Sequence, residues 1–202
     1  MPAKVIALRH DSKNLPEARD DDELMLAAAG GSRAAFAELV RRHIEPLTRF
    51  CVKLTGDPES AQEVVQETFV QAWASSQSYV PQGKLGVFLL RVAHNRLRNL
   101  RRESSRRERR HQASAPPTLV SVDNHEQLEA LLRRERQRRV REALTRLPRK
   151  MREALLLRFD QEMDYSDIAE VLGRPEATIR TRVFHGLRRL RAMLEQERAG
   201  RR

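Results

Sequence analysis

The stretch TGDPESAQEVVQETFVQAWASS, residues 55–76, constrains the fold more than any other part of the chain. Its apolar set, Ala61, Val64, Val65, Thr68, Phe69, Ala72 and Trp73, recurs at steps of three and four, the spacing that puts side chains on one face of an α-helix. Gly56 stops the preceding helix, Asp57 can cap the new one, and Pro58 is tolerated at the first helical position. A helix with one apolar stripe has to bury it against others. The neighbours supply the partners: Phe36, Leu39, Val40, Ile44, Leu47, Phe50, Cys51 and Leu54 before it, with Pro46 expected to kink or divide that stretch. After it come Leu85, Phe88, Leu89, Val92, Ala93, Leu97 and Leu100. The face of residues 58–74 turned away from the stripe is expected to hold Gln62, Glu63, Gln66, Glu67 and Gln71.

The apolar period fades from Ser104 to about Asn124, where an arginine run is followed by Pro116 and Pro117. It resumes at Leu128, Leu131 and Leu132 and continues through Val140, Ala143, Leu144 and Leu147. No segment shows the alternation of a strand. The chain therefore reads as all-α, two small helical domains joined by a flexible linker. The expected bounds are a loose tail over 1–20, a first domain over 21–103, a linker over 104–127, a second domain over 128–197 and a short tail over 198–202.

Charge separates the two halves by role. Over 21–80 there are 5 basic residues against 9 acidic, over 81–110 there are 10 against 2, and over 133–202 there are 20 against 11. Two basic blocks behind an acidic front suggest two contacts with a polyanion and a front kept for another partner. The single cysteine, Cys51, excludes an internal disulfide and a Cys-rich metal site, and it sits among apolar neighbours as a small buried side chain. The scattered histidines imply no metal. No apolar run approaches the roughly 18 residues of a membrane span, and the first residues lack a signal peptide's apolar core, so a cytoplasmic protein without membrane insertion is expected. There is no Gly-rich phosphate loop and no nucleophile with an adjacent base, so neither catalytic residues nor cofactors are assigned and an enzyme is disfavoured.

Residues 165–191, YSDIAEVLGRPEATIRTRVFHGLRRLR, fit a helix-turn-helix. Such a hairpin needs a small residue where the helices cross, a glycine at the turn and an aliphatic anchor from the second helix; Ala169, Gly173 and Ile179 supply them. Ile179, Val183, Leu187, Leu190 and Leu194 are expected to form the buried stripe of the second helix. Its other side offers Thr178, Thr181, His185 and Arg188, flanked by Arg180, Arg182 and Arg189. No acid occurs from Ala177 through Leu194, as suits a surface meeting base edges and phosphates in a major groove. Taken alone, this hairpin would equally suit an autonomous helix-turn-helix regulator with an effector or dimerisation domain at its front.

With the first domain included, the chain resembles the extracytoplasmic-function (ECF) sigma factors of bacteria, small two-domain proteins that direct RNA polymerase to promoters. The resemblance lies in Ser60 to Phe69, followed by Ala72 and Trp73; in Phe88, Leu89, Arg91, Val92, Ala93 and Asn95; and in Ile179, Arg180, Thr181, Arg182 and Val183. It implies that the outward side of the first motif, Gln62, Glu63, Gln66, Glu67 and Gln71, docks on the β′ coiled coil of core RNA polymerase, with β also contacted. It implies that Tyr79, Lys84, Arg91, Asn95 and Arg98 meet the single-stranded minus-ten element. Tyr79 is the candidate either for stacking on a flipped base or for covering the end of the core. Thr178, Arg180, Thr181, Arg182, Phe184, His185 and Arg188 are implied in reading the minus-35 duplex. The resemblance also admits an anti-sigma protein as a partner, and it places the protein with promoter DNA in the cytoplasm.

Overall fold

The computed structural model describes residues 20–108 and 128–199. The tail expected over 1–20 thus falls outside the described residues except for Asp20, as do the expected linker from residue 109 onward and the last three residues.

Eight α-helices make up most of the described residues: α1 (Asp21–Ala29), α2 (Arg33–Thr55), α3 (Pro58–Ala74), α4 (Leu85–Glu108), α5 (Leu128–Arg146), α6 (Arg149–Phe159), α7 (Tyr165–Leu172) and α8 (Glu176–Ala199). There is no strand among the described residues. Local chemistry sets most of the boundaries. Ser32 accepts from the Ala35 amide to start α2, and Gly56 at φ 74° ends it. Asp57 accepts from Glu59 and Ser60 to start α3, with Pro58 at its first position. Asp164 caps α7 by accepting from Asp167, and Gly173 at φ 58° closes it. Both glycines hold a left-handed turn that a side chain would strain.

Pro46 lies inside α2 without dividing it. The expected break is absent because Leu47, Phe50 and Cys51, just after the proline, are all buried. Their packing outweighs the roughly 3 kcal/mol of an internal proline. Conversely, α4 continues to Glu108, several residues into the segment expected as linker. Arginine and glutamate are good helix formers, so a helix already nucleated on an apolar face extends through them without one.

In the first half, α3 packs between α2 and α4, while α1 lies against α2. The α3 stripe is buried as expected at Ala61, Val64, Val65, Thr68, Phe69 and Ala72. Trp73 is only half-buried, and its ring meets Phe36 edge-on at 4.9 Å between centroids. Thr68 keeps its hydroxyl satisfied inside the core by donating to the Val64 carbonyl at 2.7 Å. Cys51 is fully enclosed, and burial pushes its thiol up to about 12. It is inert packing, not a reactive group.

The second half is built on α6 and α8, with α7 against both and α5 against α8. Here the expected stripe of α8 needs correction. Ile179 and Val183 are buried, whereas Leu187 is 42% exposed. Gly186 takes the inward position: a Cβ there would lie 3.1 Å from Leu155 Cδ1 on α6. The absent side chain lets the two helices approach closely, which a stripe drawn from apolar residues alone overlooks.

The halves also touch. α7 lies against α4 and α6 against α2. Lys53 pairs with Asp160, and Gln161 Nε2 donates to the Pro46 carbonyl at 3.3 Å. His94 of α4 faces Glu153 of α6 at 3.5 Å, both side chains about nine-tenths buried.

Candidate nucleic-acid and protein interfaces

α7, the Gly173 turn and α8 form the helix-turn-helix, and Ile179 is fully buried beneath it. The outer side of α8 stands open. Arg180 is paired with Glu176 one turn back, and its guanidinium lies 4.4 Å from the centre of the Tyr165 ring. Both contacts hold the side chain extended on the surface. Thr181 donates to the Ala177 carbonyl at 2.9 Å, and Phe184 is 62% exposed with its ring edge against His185. Thr178 and His185 are half-buried, and Arg188 is exposed. Arg182 departs from this group and turns toward the cleft between the halves.

The basic side of α4 is differently placed, because α7 lies over it. Lys84 pairs with Asp167 at 2.6 Å and Arg91 with Glu170 at 3.1 Å. The hydrogen bond that Lys84 Nζ donates to Asp167 is the main reason its ammonium is held above its ordinary pKa. Asn95 and Arg98 remain exposed. Tyr79 is half-buried: its ring packs edge-on against Phe88 at 6.0 Å, and its hydroxyl donates to Asp22 Oδ1 at 2.6 Å. Burial first, and then the Asp22 carboxylate, raise the Tyr79 pKa. In this arrangement Tyr79 packs at the end of the core and stays partly exposed. Asp22 also accepts from the Gly83 amide at 2.6 Å, so this one buried carboxylate spans the loop between α3 and α4.

Below His94, Glu153 is also paired with Arg149. Burial acts to raise the Glu153 pKa, but the His94 hydrogen bond and the Arg149 charge outweigh it and hold the carboxyl below its ordinary value. The Glu153 carboxylate, facing His94 across the seam, ties the first half to the second.

On the opposite side, α2 and α3 border a groove of about 730 Å³. Gln62 and Gln66 lie along its edge, and its floor is apolar, with Phe36, Ile44, Val70 and Trp73 among the lining residues. Val70 is 63% exposed, a large apolar side chain left without cover. Glu63 and Gln71 are exposed outside the groove. Glu67 of the same outward row is partly exposed and accepts from Arg96 of α4. The sequence period assigned Glu67 to the polar side of α3 correctly, but it carries no information about which residue of α4 would reach it. Among the described residues no cluster of His, Cys, Asp and Glu could hold a metal ion, and no helix is long and apolar enough to cross a membrane.

Comparison with known proteins gives these surfaces a common setting. Residues 39–107 match the model of Sigma-70 region 2, and residues 137–190 match that of Sigma-70, region 4. The two matches together cover well over half of the chain and define the class, a sigma-70 factor of bacterial RNA polymerase. Among relatives, the ECF RNA polymerase sigma factor EcfG of Rhodopseudomonas palustris is 32% identical over 158 residues, spanning 75% of this chain and 80% of that one. The RNA polymerase sigma-H factor of Pseudomonas aeruginosa is 28% identical, spanning 81% and 88%. The fold is that of the sigma factor RpoE from Bartonella quintana, solved with the anti-sigma factor NepR. That match has a TM-score of 0.69 at 22% identity and covers 79% of this chain and 96% of that one. CnrH, solved with the cytosolic domain of CnrY, matches with a TM-score of 0.65 at 25% identity, covering 88% and 99%.

The chain belongs to the ECF sigma factors of the sigma-70 family. It acts in promoter-specific transcription initiation as an RNA polymerase sigma factor, a regulatory initiation factor in place of a catalyst.

Proposed function

We propose a division of labour among three surfaces. The outer side of α8, with Thr178, Arg180, Thr181, Phe184, His185 and Arg188, reads the minus-35 duplex from the major groove. Arg182 joins it when the cleft opens. The α4 side, with Lys84, Arg91, Asn95 and Arg98, follows the minus-ten strand. The groove between α2 and α3, edged by Gln62 and Gln66 with Glu63 and Gln71 nearby, receives the β′ coiled coil of core polymerase. An amphipathic helix laid on an apolar floor with amide groups at the rim suits that shape. Domain bounds of 21–103 and 128–197 follow the same division, and the protein works in the cytoplasm on promoter DNA. An anti-sigma protein fits this reading as a competitor for the same groove.

One observation supports the reading most. The side of the molecule bearing exposed apolar area, Val70 and Ile44, lies on α2 and α3, whereas Arg98, Arg102, Arg182, Arg188 and Arg189, which carry no ion pair among the described residues, lie on α4 and α8. Protein-binding and polyanion-binding chemistry are thus kept on different helices. Mixing the protein with core polymerase should give co-elution and promoter-dependent transcription. Gln62→Ala with Gln66→Ala and Val70→Asp should abolish co-elution while sparing minus-35 duplex binding. Loss of both activities in that variant, with its helix content intact, refutes the division.

A further inference from the structure

The cleft between the two halves gathers more positive charge than its one acid answers. Its walls are α4, the first turn of α6, the end of α7 with its turn, and α8, enclosing about 520 Å³. Arg98, Arg102, Lys150, Arg174 and Arg182 line it and carry no ion pair among the described residues. Arg101 and Arg149 add to the wall, and Glu153 is the one acid there, already engaged by Arg149 and His94. Bringing like charges from both halves around one space is unfavourable unless an anion fills it.

Two further features mark this as more than a basic surface. His94, only 7% exposed, lines the cleft, and its Nδ1 has no hydrogen-bond partner. Buried polar atoms of this kind are rare and call for a ligand or an ordered water. The first turn of α6 also borders the cleft through Arg149 and Lys150, and Pro148 gives it no side-chain cap, so the positive end of its dipole carries no capping side chain.

We propose that this cleft binds a compact, multiply phosphorylated anion that clamps the two halves together. The volume is that of a small-molecule site, which commonly spans about 300–1,000 Å³. Leu172 is the one apolar side chain among the lining residues, and no Phe, Tyr or Trp is present to stack on a base. Recognition therefore rests on the phosphate chain, and a nucleoside attached to it adds no affinity. The clamp acts against promoter binding, because it holds α7 over Lys84 and Arg91. This inference concerns the closed protein alone and does not depend on which bases α4 or α8 reads.

Calorimetric titration of the full chain with inorganic tripolyphosphate, orthophosphate and a nucleoside triphosphate provides the test. Tripolyphosphate should bind one to one, at least about tenfold tighter than orthophosphate and equally to the nucleoside triphosphate. Lys150→Ala with Arg174→Ala should weaken it at least about tenfold, whereas Arg141→Ala with Arg189→Ala, which removes the same charge outside the cleft, should change it less than about twofold. Equal weakening by both pairs, or several equivalent sites per chain, would show diffuse charge attraction and overturn the proposal. A tighter nucleoside triphosphate would overturn its claim that only phosphate is read. If Lys150→Ala with Arg174→Ala leaves tripolyphosphate binding unchanged but weakens promoter binding by the holoenzyme, the cleft residues serve DNA and the proposal fails.

Discussion

The helices α4 and α8 are both 24 residues long and rich in arginine, yet their charges are engaged in opposite ways. Arg180 on α8 pairs within its own helix, with Glu176 one turn away. An i,i+4 pair of that kind contributes only about 0.3–0.5 kcal/mol, so a phosphate or a guanine displaces it readily. At α4 the partners belong to the other half of the molecule, Asp167 to Lys84 and Glu170 to Arg91, with His94 and Glu153 buried beneath. One reader is ready, and the other has to part from a neighbour before it can bind. The comparison teaches that arginine content alone does not define a nucleic-acid surface; what answers each charge decides whether the surface is available.

The largest expected effect removes the support of the ready reader. Gly186→Val drives two methyl groups into Leu155, 3.1 Å from where the first added atom would sit. It should destabilise the second half by about 3 kcal/mol, read as a lower midpoint in urea, and abolish minus-35 binding. Co-elution with core polymerase should survive. If that variant instead leaves stability unchanged, α8 does not rest on α6 as described.

Arg180→Ala comes next and is confined to the duplex. Fluorescence anisotropy with a minus-35 oligonucleotide should show a loss of about 2 kcal/mol, with single-stranded minus-ten binding unaltered. An equal loss on both DNAs would erase the distinction between the two readers.

Glu153→Gln sharpens the comparison from the closed side. The folded pKa of Glu153 lies below its ordinary 4.5, so its contribution is complete above that value and is lost as pH falls through the lowered one. The variant should be less stable at neutral pH by about 1.5 kcal/mol, and it should show a shallower loss of stability in acid than the parent. Parallel pH profiles would contradict the ionised Glu153 carboxylate. The smallest effect is expected from Asp167→Asn with Glu170→Gln, which uncovers Lys84 and Arg91. Single-stranded minus-ten binding by the free protein should rise about fivefold, as expected for two exposed pairs.

Much of this arrangement was legible in the sequence, and what was not has a physical reason. The α3 stripe, its Asp57 and Pro58 start, and the Gly173 turn are local signals, set by period and by backbone chemistry within a few residues. Gly186 escaped because an inward glycine has no apolar side chain to count. Asp22 escaped because its partners, Tyr79 and Gly83, are far along the chain. The acids of α7 lay in plain view as the polar side of a short helix, but only packing reveals that they answer cations of α4. The α2–α3 groove was half visible. Gln62 and Gln66 were expected on the outer face, whereas Val70 broke the period and carried no meaning until its exposure was seen.

A distance across the two halves tests the covered reader most directly. Cysteines at Glu59 on α3 and Gln196 on α8, both exposed, can carry a fluorescent donor and acceptor, while buried Cys51 stays unlabelled. The free protein should give a single, short separation that lengthens when the holoenzyme engages promoter DNA. An unchanged separation, with the minus-ten strand bound by α4, would contradict the claim that α7 has to leave before α4 can read.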